Sequence, residues 1–160
     1  MGIGRFFAGV GALVWHPPDG KYLLLRRSAS KDFAAGAWEC VTGRVDQGEG
    51  FPQAVRREVR EELGVEVQID FIVGTMRFYR GEAQPENELL GVQFCCSLEA
   101  PEAIRLGAEH AESRWVMPEE AEALLPEGHW LLKAIRRAEA MRALLPPPLL
   151  ERYRTEGFEL

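Results

Sequence analysis

Between Gly43 and Val65 the chain reads GRVDQGEGFPQAVRREVREELGV. Gly43 is followed by five residues and Glu49, then by seven more and Arg57-Glu58-Val59, and then by Glu61-Glu62 and Gly64-Val65. With each fixed residue at a background of a few per cent, chance assembly of this pattern has a probability below roughly 10^-8 per starting position. Phe51, Val55, Val59 and Leu63 recur every four residues, which at about 100° per residue makes one apolar stripe of a helix from about Pro52 to Leu63. Pro52 suits the first turn and Gly64 the C-terminal cap, so both boundaries have a mechanism.

On the same helical wheel Glu58, Glu61 and Glu62 fall within an arc of roughly 100° beside the apolar stripe, and Arg56, Arg57 and Arg60 take the far side. Three carboxylates on one half-buried edge repel one another and are costly unless a cation neutralises them. Hard oxygen ligands, few protein donors and room for water and phosphate oxygens describe a Mg2+ site. The competing reading of such an acidic run is a solvated, salt-bridged helix face.

The Gly43-to-Val65 pattern resembles the Nudix box in full, and the chain is identified on it as a member of the Nudix hydrolases. The resemblance overturns the solvated-face reading, because Gly43, Glu49 and the helix end all fall at the family's spacing. It implies an α/β fold, an α/β/α sandwich with a mixed β-sheet, and a hydrolase that cleaves a phosphoanhydride in a nucleoside diphosphate linked to a moiety X. It further implies Mg2+, with Mn2+ as the alternative, held by Glu58, Glu61, Glu62, a carbonyl near Thr42 and a loop carboxylate, Glu109. Arg57, by the same resemblance, holds Glu49 and orients the metal ligands. The spacing of Glu109 from Trp115 matches the position of that loop carboxylate, and Glu112 competes for it. A lone histidine is more often a packing residue, so His110 is left outside the catalytic set.

At 160 residues the chain has the length of one domain able to bury a sizeable core. We expect the hydrolase domain over residues 1–145, with residues 146–160 as a tail that either packs on a partner subunit, as in a homodimer, or frays. A net charge of −6 argues against a nucleic-acid surface, which calls for a basic stripe. The partner expected is a small phosphorylated molecule. Cys40, Cys95 and Cys96 form no paired framework and fit a reducing cytoplasm. The apolar run Phe6 to Trp15 is too short to span a bilayer and lacks a signal peptide's layout.

Outside the box, strands are expected at Arg5 to Trp15, Tyr22 to Arg27, Trp38 to Thr42, Val65 to Tyr79 as one or two strands broken at Gly74, Leu89 to Leu98, and Ser113 to Val116. Helices are expected at Pro118 to Leu125 and Trp130 to Leu144, the second stopped by Pro146-Pro147-Pro148. Candidate phosphate contacts are Arg26, Arg27, Arg44 and Lys31; the first two end a strand facing opposite ways, so at most one enters a cleft. Phe33, Trp38 and Phe78 are available for stacking on a base, and Trp38 is preferred.

The run Trp38-Glu39-Cys40-Val41-Thr42-Gly43, with Glu109-His110 ahead of Trp115 and Trp130 before a helix, is similar to the subset acting on nucleoside triphosphates and dihydroneopterin triphosphate. ADP-ribose or coenzyme A hydrolysis is the alternative, with Leu23 to Ser28 resembling a coenzyme A pattern only partly, since Leu25 and Asp32 depart from it. Isopentenyl diphosphate isomerase needs a cysteine setting that Glu39-Cys40-Val41 does not reproduce. A non-catalytic binding module is opposed by the intact Glu58, Glu61 and Glu62.

Overall fold

The computed structural model describes residues 4–31 and 33–160; Asp32 lies outside the described residues. Among the described residues seven strands form one sheet: β1 Phe7–His16, β2 Lys21–Arg27, β3 Trp38–Glu39, β4 Val41–Arg44, β5 Gln68–Tyr79, β6 Glu88–Ser97 and β7 His110–Val116. The main path runs β3-β2-β1-β6-β5, with β4 on β1 and β7 on β2. β1 and β6 are parallel and the other pairings antiparallel, so the sheet is mixed. Helices α1 Phe51–Leu63, α2 Pro118–Leu124, α3 Trp130–Leu144 and α4 Pro147–Glu156 complete the fold. No helix among the described residues is long and apolar enough to cross a membrane.

Alternation along the strands divides the core into two halves. Val10, Ala12, Val14, Phe94 and Cys96 point to one face, where α1 inserts Val55, Val59 and Leu63. Leu13, Cys95 and Phe71 point to the other, under Ala121 of α2 and Leu131 and Ile135 of α3. Cys95 and Cys96 thus face opposite ways, as neighbours on a pleated strand must. Fully burying each such aliphatic contributes about 1.5–3 kcal/mol, which makes α1 a fixed wall rather than a surface accessory. The stripe is one residue shorter than its period suggests, because Phe51 sits in the first turn at 37% exposure while Val55, Val59 and Leu63 are fully buried.

Three expectations change. The strand after α1 does not break at Gly74: β5 runs through it, and register shifts between Ile69 and Phe71 and between Ile72 and Gly74 absorb the irregularity as bulges. β7 begins at His110 rather than Ser113 and pairs with β2 as far as Arg27. The prolines that stop α3 also start a helix, since a ring lacking N–H is tolerated in a first turn. α4 lies against β5, and beyond it Phe158 meets Phe94 edge to face at 5.6 Å and stacks on Tyr153 at 4.9 Å.

Because Phe158 packs on the α1 side of the core, Phe158→Ala is expected to cost about 2 kcal/mol in urea unfolding, somewhat below a fully buried phenylalanine. A loss under about 0.5 kcal/mol, the size of an ordinary surface change, would show that the tail frays.

Candidate active site

α1 ends where the acidic residues are. Gly64 adopts φ 68° and closes the helix with its N–H on the Arg60 carbonyl. Two carbonyls that such an end leaves open are then taken by the loop leading to β7: Arg105 N–H donates to Leu63 O at 2.8 Å and Gly107 N–H to Glu62 O at 2.8 Å. An added Cβ at Gly107 would come 3.2 Å from the Glu61 carbonyl, so the loop lies directly on the helix. The docking brings Glu109 and His110 beside Glu62.

Arg57 binds the other end of the acidic edge. Its Nε and Nη2 grip both oxygens of Glu49 at 2.9 Å, Nη1 donates to Glu58 at 2.7 Å and reaches Glu61 at 3.5 Å, and Nη2 also donates to the Arg44 carbonyl at 2.8 Å. One planar fork therefore ties the loop before α1, α1 itself and the end of β4. The wheel placed Arg57 with Arg56 and Arg60 on the far side; its long side chain instead curls to the carboxylates. The fork holds the Glu49 carboxyl below the usual range. Burial pushes Glu58 up, partly opposed by Arg57. Glu58 also lies against Gly43, where an added Cβ would fall 1.9 Å from its Cδ.

Glu62 is the anomaly. It is 5% exposed, and burial, then the charges of Glu39, Glu58 and Glu109, push its carboxyl up to about 9. Its Oε2 is sealed from solvent without a hydrogen-bond partner, as is Nδ1 of His110, and the two lie 3.7 Å apart. A buried carboxyl among like charges is stabilised by added positive charge, and the carboxylates around it offer oxygen donors, which suit a hard divalent cation. As they stand, no three His, Cys, Asp or Glu side chains among the described residues converge on one point. Glu58 is drawn to Arg57 and Glu109 to Lys31 at 2.7 Å.

The remaining candidates separate. Glu61 is largely exposed on the same edge. Lys31 holds Glu109 below its usual range, and Glu109 adds to the electrostatic load on Glu58 and Glu62. Glu112 turns instead to Arg26 and Arg114. Thr42 lies opposite Gly11 on β1, its Oγ1 3.5 Å from Glu39. The Arg44 guanidinium covers the Phe7 ring at 4.4 Å. Arg27 is consumed internally, donating to both oxygens of Glu39 at 3.0 and 3.2 Å and to the Phe33 carbonyl at 2.9 Å, whereas Arg26 is half exposed. Arg114 lies 5.3 Å from the centre of the Trp38 ring. Phe33 and Phe78 stack nearly parallel, 6.4 Å apart, and Phe78 is 38% exposed.

Sequence reasoning missed Glu39 and the buried role of His110. Glu39 is 8% exposed and accepts from His110 Nε2 at 2.8 Å. The available signal was a glutamate inside the apolar run from Trp38 to Val41.

A NUDIX domain model matches residues 5–138. The chain is 35% identical over 127 residues to the CTP pyrophosphohydrolase of Escherichia coli (strain K12), covering 78% of this chain and 88% of that protein. It is 34% identical over 124 residues to the octanoyltransferase of Myxococcus xanthus, covering 77% of this chain but spanning only 33% of that longer relative. The crystal structure of the MutT protein from Methanosarcina mazei Go1 superposes with a TM-score of 0.72 at 26% identity, covering 89% of this chain and 99% of that one. The chain belongs to the Nudix family and is a Nudix hydrolase.

Since the Glu58 carboxylate occupies the space beside Gly43, Gly43→Ala must displace it. Turnover of a phosphoanhydride substrate should fall by about a hundredfold, the scale of an ångström-level misplacement. A kcat within about threefold of wild type would show that the position of Glu58 does not matter.

Proposed function

We propose, on the premise of a Nudix hydrolase, that this chain is a pyrophosphohydrolase of nucleoside triphosphates or a pterin triphosphate, releasing pyrophosphate and a monophosphate. The observation that carries the reading is the buried Glu62 beside Glu58 and Glu109, with too little positive charge around it. The name of the Escherichia coli relative, CTP pyrophosphohydrolase, supports the substrate class. Mg2+ or Mn2+ would be held by Glu58, Glu61, Glu62, Glu109 and the Thr42 carbonyl, and when bound supplies positive charge at the phosphate oxygens and acidifies a bound water.

The chain's own residues do the rest. Arg57 keeps Glu49 and Glu58 in place through its fork. Glu109, kept ionised by Lys31, accepts the proton as water adds to phosphorus and the bridging P–O bond breaks. Arg26 and Arg44, on exposed strand ends, meet the remaining phosphate oxygens. For the base, the exposed Phe78 on Phe33 offers an open aromatic surface, and Trp38 a second wall backed by Arg114. In this reading residues 1–145 form the hydrolase domain, and the tail braces its core.

ADP-ribose and coenzyme A remain the alternative substrates, and a non-catalytic binding module the alternative class. Against a panel of nucleoside triphosphates, dihydroneopterin triphosphate, ADP-ribose, coenzyme A, NADH and diadenosine polyphosphates with Mg2+, triphosphates should give the highest kcat/KM. A preference of tenfold or more for ADP-ribose or coenzyme A, about 1.4 kcal/mol, overturns the triphosphate reading and leaves the hydrolase intact. No turnover of any member would favour the binding module.

Glu61→Gln and Glu62→Gln should each lower kcat by about a hundredfold or more with the fold retained, as expected when a metal-centred contribution is lost. Near wild-type turnover with normal Mg2+ dependence in both would remove the assignment of the acidic edge.

A further inference from the structure

His110 carries an inference that rests on reading Glu62 as a cation ligand. Its side chain is 1% exposed and lies between two buried carboxylates. Nε2 is 2.8 Å from Glu39 Oε1, and Nδ1 faces Glu62 Oε2 at 3.7 Å. Glu39 is itself fixed by the Arg27 fork. A histidine that only filled core space would have both ring nitrogens satisfied, because buried polar atoms are hydrogen-bonded with few exceptions. Here Nδ1 and Glu62 Oε2 are both sealed and both lack a hydrogen-bond partner. Two unsatisfied atoms aimed at one another in the same pocket point to an arrangement that is completed only when the Glu62 side chain shifts.

The ring has little freedom to move in response. The preceding loop is nailed to the end of α1 through Arg105 and Gly107, Ser28 N–H donates to the Glu109 carbonyl at 2.8 Å, and β7 starts at His110 opposite Arg27. Arg27 extends the chain of contacts to the Phe33 carbonyl.

We infer that His110 is a positioning residue for Glu62, held in register by Glu39 and Arg27, and that it sets the affinity of the acidic edge for a divalent cation. Partners of this kind fix the orientation of a ligating group, and removing them costs about 10–100-fold in metal affinity.

The side-chain amide of asparagine can stand where Nδ1 is and keep the contact to Glu62, while that of glutamine reaches the place of Nε2 and keeps the contact to Glu39. Mn2+ binding to the full chain, followed through the paramagnetic resonance signal of free Mn2+, should therefore weaken about 10–100-fold in His110→Gln and His110→Ala. His110→Asn should stay within about threefold of wild type. Thermal unfolding of each variant monitors the fold separately, and if His110→Ala fails to fold, the order of the Asn and Gln variants still decides. Gln binding as tightly as wild type, or more tightly than Asn, would overturn the inference by showing that the ring serves only Glu39 and the core. Glu62→Gln is the parallel control. If it loses Mn2+ while the His110 variants bind normally, the inference falls and the site reading stands; if it binds Mn2+ like wild type, the reading of Glu62 as a ligand falls and the inference with it.

Discussion

The structure turns on one uncompensated charge problem. Glu62 is a carboxyl group buried on the inner edge of α1, with Glu39, Glu58 and Glu109 close enough to raise its proton affinity. Moving an ion into such surroundings costs several kcal/mol that only opposite charge or good hydrogen bonds return. Arg27 is a cation that eases the Glu62 charge, yet it is occupied by Glu39, and Arg57 is taken by Glu49 and Glu58. An evolved interior carries such a defect where function needs it, because selection for stability alone would have replaced Glu62 with an apolar residue.

The rest of the fold holds this edge steady. The apolar stripe Val55-Val59-Leu63 seats α1 on the sheet, and the loop before β7 takes the helix's open carbonyls. Those two constraints are complementary, one seating the helix on the core and the other fixing where it ends. The Arg57 fork adds the third by linking α1 to the ends of β4 and its following loop. Gly43 leaves the room that Glu58 needs. A site meant to sort charges at the scale of a single oxygen has to be mounted on elements that do not drift.

Much of this was legible in the chain before any coordinate. The four-residue period gave α1 and the amphipathic pattern gave α3 because both helices bury one face, and burial enforces the period that the eye can find. β5 was harder: Gly74 reads as a breaker, but bulges in an antiparallel pair absorb an irregular residue without ending the strand. α4 was hidden behind three prolines, which terminate one helix and suit the first turn of another equally well. The box glutamates follow from local spacing, since they share one helix. Glu39 and His110 are 71 positions apart and meet only through the pairing of β2 with both β3 and β7. No local period encodes a contact of that kind, and a lone histidine in a sequence carries little weight until its neighbours are known.

The central claim is that the α1 edge is an electrostatic site completed by a divalent cation. Crystals of the protein soaked in MnCl2 with a non-hydrolysable nucleoside triphosphate analogue, measured at the manganese absorption edge, test it most directly. The account predicts an anomalous peak within about 2.0–2.3 Å of carboxylate oxygens of Glu58 and Glu62, the range for hard cations on oxygen ligands. An occupied analogue with no anomalous peak at these carboxylates, or with manganese bound elsewhere on the molecule, would contradict it.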